Sequence, residues 1–377
     1  MVGEFYLDNA AATKVAEEVL DEMLPYFSKK YGNASSLHKL GREAKKAIED
    51  AREKIAEHIN CKKEEIIFTA SGTEADNLAI KGLALAYPEK KHIITSKIEH
   101  AAVLETCKFL EKQGYEVDYI GVDKNGIVKI EDVKKAIRED TLIVSIMHVN
   151  NEIGTIQPIE EIAEICRSNE VFFHTDAVQS FGKLKIDARN FDLLSASGHK
   201  INGPKGIGLL YVRDGVKIVP LLHGGGHERG LRSGTENVPG IVGMAKAVEL
   251  ADKIDKKEIK KIRDSIFEKL LEINGVRING SREKRIYNNI NISVRGIEGE
   301  SLLMMLDRKK LFASTGSACS SHSLKGSHVL SALGIGEEEI HSSLRITLGN
   351  DFKEKNINRV ICIIKDSINK LRKISPF

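Results

Sequence analysis

Lys200 lies in SGHKINGPKGIG, directly after the strand-like run FDLLSAS, with Gly198, Gly203 and Gly206 around it. A lysine at a strand end among glycines stands where backbone can approach a ligand closely. Its amine, once deprotonated by desolvation or a nearby positive charge, forms a Schiff base with an aldehyde. Alone, the segment reads more simply as a turn with a surface lysine. Asp176 adds weight, because it closes the apolar run EVFFHTDA, and acids are almost never buried without a partner. A pyridinium N–H is one such partner, and a carboxylate there keeps the ring protonated and electron-accepting. Helix N-capping is the other reading of that aspartate. Gln179, three residues on, could hydrogen-bond an oxygen on the same ring.

Phosphate needs backbone and hydroxyl donors. Ser71-Gly72-Thr73 follows EEIIFTA and leads at once into the helical EADNLAIKGLAL. A glycine-containing turn feeding a helix N-terminus is a ready anion site, and equally a plain capping motif. Ser197 and His199 flank Gly198 and could add donors. Cys319 sits among small residues in FASTGSACSSHSLKGS, so nothing bulky beside it shields the thiol. A free thiol titrates near about 8.5, and thiolate attack needs a neighbouring cation or acid–base group. A buried apolar cysteine is the alternative, which the Ser/Gly setting disfavours.

Other chemistries are absent from the sequence. There is no G-x-x-x-x-G-K-[ST], no G-x-G-x-x-G after a strand, no H-E-x-x-H and no G-x-S-x-G. Five scattered cysteines without a CxxC argue against disulfides or a zinc knuckle, and no metal site is expected. Fifty-seven basic against 54 acidic residues and no Trp imply neither a polyanion partner nor a base-stacking surface, so no direct nucleic-acid binding is expected. The N-terminus lacks the features of a secretory signal, and the apolar runs are too short to span a bilayer. A cytoplasmic protein with reduced thiols is expected.

These residues need a scaffold. Seven strand candidates, at Glu64, Lys91, Tyr115, Thr141, Glu170, Phe191 and Gly206, alternate early on with helical patterns such as AIEDAREKIAEHI from Ala47. That alternation predicts an α/β layer with a largely parallel sheet. The last three strands follow too closely for long helices, so part of the sheet should be antiparallel or closely connected. From about Ala245 a long helical pattern runs toward Ile273, with Ile262, Ile266 and Leu270 four apart and Asn274-Gly275 ending it. NINISVRG, SLLMMLD, KLFAS, LRITLG and a C-terminal amphipathic helix then describe a smaller α+β part. The expected division is 15–255 for the large domain and 1–14 plus 256–377 for the small one.

Together these segments resemble the pyridoxal-phosphate enzymes of aspartate-aminotransferase type, and within them the cysteine desulfurases. The resemblance covers nearly the whole chain. It runs from YLDNAAAT, YGNASSLH, FTASGTEADN, EHAAVLET and HVNNEIGT through FHTDAVQS, SGHKINGPKGIG and HGGGHERG to LRSGTEN, STGSACSS and SSLRITLG. It implies a mainly parallel seven-stranded large domain and an enzyme that takes sulfur from L-cysteine onto Cys319, leaving alanine. By this resemblance Lys200 would hold pyridoxal 5'-phosphate covalently and move protons, while His100 would stack on the ring and serve in acid–base steps. Asp176 would pair with the ring nitrogen and Gln179 with the ring oxygen. Gly72, Thr73, Ser197 and His199 would bind phosphate, with Thr235 of a second subunit in a homodimer. Asn151 and Arg345 would hold the substrate carboxylate, Arg345 by its bidentate fork. The Cys319 segment resembles the long type that hands sulfur to protein acceptors such as an iron–sulfur scaffold. A selenocysteine lyase or another enzyme with the same cofactor is the alternative.

Overall fold

The computed structural model describes residues 3–316 and 326–374. Cys319 lies outside the described residues. In chain order the strands are β1 (Phe5–Tyr6), β2 (Ile66–Thr69), β3 (His92–Ser96), β4 (Glu116–Ile120), β5 (Thr141–Ser145) and β6 (Phe172–Asp176). They continue with β7 (Leu193–Ser197), β8 (Gly208–Val212), β9 (Val276–Ile278), β10 (Asn289–Val294), β11 (Leu311–Phe312) and β12 (Ser343–Thr347).

All seven early strand candidates form one sheet in the order β2-β8-β7-β6-β5-β3-β4. β8 runs antiparallel to both β7 and β2, and the other pairings are parallel. β3, β5, β7 and β8 are buried along their whole length, because helices cover both faces. That is why they read as continuous apolar runs instead of alternating ones. Only β4, an edge strand with the sequence EVDYI, is partly exposed throughout.

Six of the seven strands point the same way, so their C-terminal ends form one rim. The turns after β2, β3, β5 and β7 carry Ser71, His100, Asn151 and Lys200 respectively, and Asp176 is the last residue of β6. In open sheets of this kind, ligands bind beyond the carboxyl ends of the strands.

The long helical pattern after Ala245 is carried by two helices, Val238–Ala251 and Lys256–Leu271. Asp255 breaks it, because its carboxylate accepts the Lys257 and Glu258 N–H groups, both at 3.0 Å, and starts a new helix. The two helices also serve different cores. Val242 and Val248 join the apolar cluster that includes Phe173 and Leu194 of the large sheet. Ile262, Ile266 and Leu270 pack in a second cluster with Ile290, Ile292 and Ile346. That second cluster backs an antiparallel sheet of order β12-β10-β9, together with helices Gly299–Arg308 and Ile357–Ile374. No helix of the described residues is long and apolar enough to cross a membrane.

Candidate active site

A cavity of about 310 Å³ opens at the rim. Lining it are Gly72, Thr73, His100, Asn151 and Asp176 from the expected set. Gln179, Ser197, His199, Lys200 and Arg345 line it as well, so residues spread over more than 270 positions converge. Thr235 is exposed and is not among the lining residues.

Lys200 closes the short turn after β7, and its Nζ donates to the carbonyls of Ala10 at 2.6 Å and Ala11 at 2.7 Å. Those carbonyls belong to YLDNAAAT, so that N-terminal segment serves as one wall of the site. Asp176 ends β6 and is 6% exposed. Its Oδ1 accepts the Val178 N–H at 2.8 Å, a turn-forming bond of the kind that favours aspartate. Burial pushes its pKa up, against the opposing pull of His100, the Val178 N–H and Lys200.

His100 caps helix Ala101–Glu111, its Nδ1 accepting the Ala102 N–H at 3.1 Å. The neutral ring therefore carries its proton on Nε2, the atom left for proton exchange. Burial lowers its pKa, with Lys200 and His328 adding to the effect and Asp176 opposing it. His199 is likewise held neutral, pushed down to about 4 by burial and then by Lys200, Lys205 and Lys183. Its Nδ1 lies 2.8 Å from Ser197 Oγ.

Both readings of Ser71-Gly72-Thr73 apply at once. Ser71 Oγ accepts the Glu74 N–H at 3.2 Å and caps helix Gly72–Ala86. The first intrahelical donor is Ala75, to Ser71 O at 3.1 Å. That leaves the Gly72 and Thr73 N–H groups ahead of the helical ladder, at its positive end. The turn is tightly packed, because a Cβ on Gly72 would stand 2.6 Å from Val178 Cγ2.

Arg345, on β12, crosses from the second sheet into the cavity wall and is 2% exposed. Its Nη2 pairs with Asp8 Oδ1 at 2.8 Å and its Nη1 donates to the Asn151 carbonyl at 3.1 Å. Its Nε is buried with no acceptor among the described residues. A guanidinium with a donor in hand is suited to an arriving carboxylate.

Several lining residues went unsingled in the sequence. Glu99 and Glu152 are each about 1–2% exposed, beside His100 and Asn151. Burial pushes Glu99 up to about 8, against bonds from Ser96 and Met147. Ser327 Oγ donates to Glu152 Oε2 at 2.5 Å, and a His328 ring nitrogen lies 3.0 Å from the Glu99 carbonyl oxygen. The signal that marked Asp176, an acid beside an apolar run, also marks both glutamates. Asp8 offered none of its own, since its partner is 337 residues away.

The site suits pyridoxal phosphate on its own geometry. A buried carboxylate faces a cavity of ligand size, a lysine amine reaches the same space, and helix-start N–H groups, hydroxyls and a neutral histidine gather at one end. The Aminotransferase class-V family matches residues 5–360. A curated relative from Methanosarcina thermophila, named cysteine desulfurase IscS, is 52% identical over 98% of this chain and 93% of its own length. A solved NifS-like protein superposes with a TM-score of 0.92 at 39% identity, covering 98% of this chain and all of the other. Another, titled SspA in complex with cysteine, has a TM-score of 0.83 at 42% identity and covers 91% of this chain and 98% of its own.

Proposed function

Because this chain belongs to the class-V aminotransferase family, whose members work with pyridoxal phosphate, we propose that it is a cysteine desulfurase. It removes sulfur from L-cysteine to give L-alanine and a persulfide on Cys319. The observation that carries this reading is the meeting of Lys200, Asp176, His100 and Arg345 in one cavity, in a chain so similar to named desulfurases.

Lys200 would hold the cofactor covalently, Asp176 its ring nitrogen and Gln179 its ring oxygen. Gly72, Thr73, Ser197 and His199 would hold its phosphate. When bound, the cofactor supplies an electron sink for the charge left on the substrate carbon. Arg345 and Asn151 orient cysteine by its carboxylate. Lys200 Nζ and His100 Nε2 take and return the protons of the substrate. Cys319 thiolate attacks the substrate sulfur: an S–S bond forms, Cβ–S breaks, and its electron pair stays on carbon, which gains a proton to become the methyl of alanine. Cysteine plus thiol thus gives alanine plus persulfide.

The same reading includes a cytoplasmic homodimer that places Thr235 at the partner's phosphate site. It also includes onward delivery of sulfur to an iron–sulfur scaffold or another acceptor protein. We place the domain division at 15–255 against 1–14 plus 256–377; in its support, all members but Val149 of the apolar cluster built on Ile262, Ile290 and Ile346 fall in the second part. The test is Cys319→Ser, mixed with cysteine and cofactor. Alanine and protein-bound persulfide should both fall by orders of magnitude, because a serine hydroxyl forms no persulfide. Alanine at the wild-type yield would overturn the role of Cys319, and turnover on selenocysteine alone would favour the lyase.

A further inference from the structure

Lys183 takes no part in the chemistry above, yet it is buried, at 7% exposure. Among the described residues, the charge that acts on it is another cation, Lys200. A buried ammonium without a carboxylate is unusual and costly, and burial, with Lys200 adding to it, pushes its pKa down to about 7.

What Lys183 meets is Gln179. Its Nζ donates to Gln179 Oε1 at 3.4 Å, and Gln179 Nε2 donates to the Ala10 carbonyl at 2.9 Å. The same carbonyl accepts from Lys200 Nζ. Gln179 lines the main cavity, whereas Lys183 stands behind it, in a smaller space that it shares with Lys200 and Tyr287. The two neighbours agree on how the carboxamide must face. A lysine amine, charged or neutral, has an N–H to donate, and the Ala10 carbonyl can only accept, so it fixes the side that the NH2 group takes. Gln179 therefore points its oxygen at Lys183 and its NH2 group at Ala10, with one N–H to spare.

We propose that Lys183 is a positioning residue that acts through Gln179, holding the carboxamide so that its spare N–H serves the ring oxygen of the cofactor. This rests on the cofactor reading above. Without Lys183, Oε1 loses its donor and the carboxamide loses one of the two contacts that orient it. An inverted amide would then present an oxygen to an oxygen, which repels instead of binding.

The test is equilibrium dialysis of pyridoxal 5'-phosphate against the apo forms of the full chain: wild type, Lys183→Met, Lys183→Arg, Gln179→Ala and the Lys183→Met/Gln179→Ala double variant. Loss of one ordinary hydrogen bond weakens binding about fivefold, and Lys183→Met should show that loss, with Lys183→Arg recovering much of it. In the Gln179→Ala background, Lys183→Met should cost less than about twofold more, since its route is already gone. Gln179→Glu checks the idea without touching the lysine. It should bind as weakly as Gln179→Ala despite pairing better with Lys183, because a carboxylate has no N–H to offer. Wild-type affinity in Lys183→Met or Gln179→Glu would overturn the proposal. Single losses that multiply in the double variant would do the same, because Lys183 would then act on its own. Should Lys183→Met fail to fold, Lys183→Leu takes its place in the single and double variants, with the same outcomes expected and the same ones overturning the proposal. A wild-type apoprotein that takes up no cofactor would sink the cofactor reading itself.

Discussion

Arg345 carries three relationships on one guanidinium: an ion pair to Asp8, a bond to the Asn151 carbonyl and a buried Nε without an acceptor among the described residues. Lysine in its place keeps the charge and loses the planar fork. Arg345→Lys should therefore raise the apparent KM for cysteine about tenfold or more, leaving the absorbance of bound cofactor in the resting enzyme unchanged. Steady-state kinetics beside a resting spectrum measure both, and unaltered kinetics would reduce Arg345 to a structural member of β12. Lys200 is probed differently. Borohydride reduction of the loaded enzyme, followed by peptide mass mapping, should find a pyridoxyl group on Lys200, and its absence there would remove the covalent role assigned to that amine.

At the scale of elements, the start of helix Gly72–Ala86 is the most constrained junction of the site. It meets the turn that follows β6, where Val178 leaves no room for a side chain on Gly72. Gly72→Ala should push the helix start away from that turn. The expected cost is about 1–3 kcal/mol of stability, as for other overpacked positions, with cofactor affinity falling alongside it. Urea unfolding and equilibrium dialysis report the two effects, and loss of neither would show that the junction yields easily. Ser71→Ala removes only the cap, at about 1 kcal/mol.

For the whole molecule, stability carries a pH signature from the middle of the large sheet. His174 lies fully buried on β6, between the hydroxyls of Ser145 and Ser195, and burial pushes its pKa down to about 3. An unfolded histidine titrates near about 6.5, so the unfolded chain binds the proton first. The contribution of neutral His174 is thus complete above that pH and is lost as pH falls toward 3. The stability difference between wild type and His174→Gln should shrink by about 1.4 kcal/mol per pH unit on acidification from 6 to 4. A constant difference in urea titrations would show that His174 is charged in the folded protein. The proposed homodimer also belongs to this scale. Leu24, Phe27, Tyr31 and Leu37 are between 52% and 90% exposed, which favours a covered surface, and sedimentation should give a dimer mass. A fully active monomer would refute it.

Much of this protein is legible in one dimension. The seven strands, the parallel bias of their sheet and the candidacy of Lys200 and Asp176 follow from apolar runs and the polar residues that end them. Those signals are local, since burial on both faces leaves a continuous apolar strand and the strand ends must turn. Contacts between distant segments are another matter. The Asp8–Arg345 pair and the Ala10 carbonyl under Lys200 have no local signature, because each partner satisfies ordinary rules in its own stretch of chain. The break at Asp255 has no such signature either, because periodicity on either side survives a four-residue interruption, while the two halves bury against different cores. Nothing in the stretch around Lys183 sets it apart from a surface lysine, the commonest place for that residue. Only the packing of the turn after β6 against the N-terminal segment decides that it is enclosed, and that its nearest acceptor is the carboxamide of Gln179.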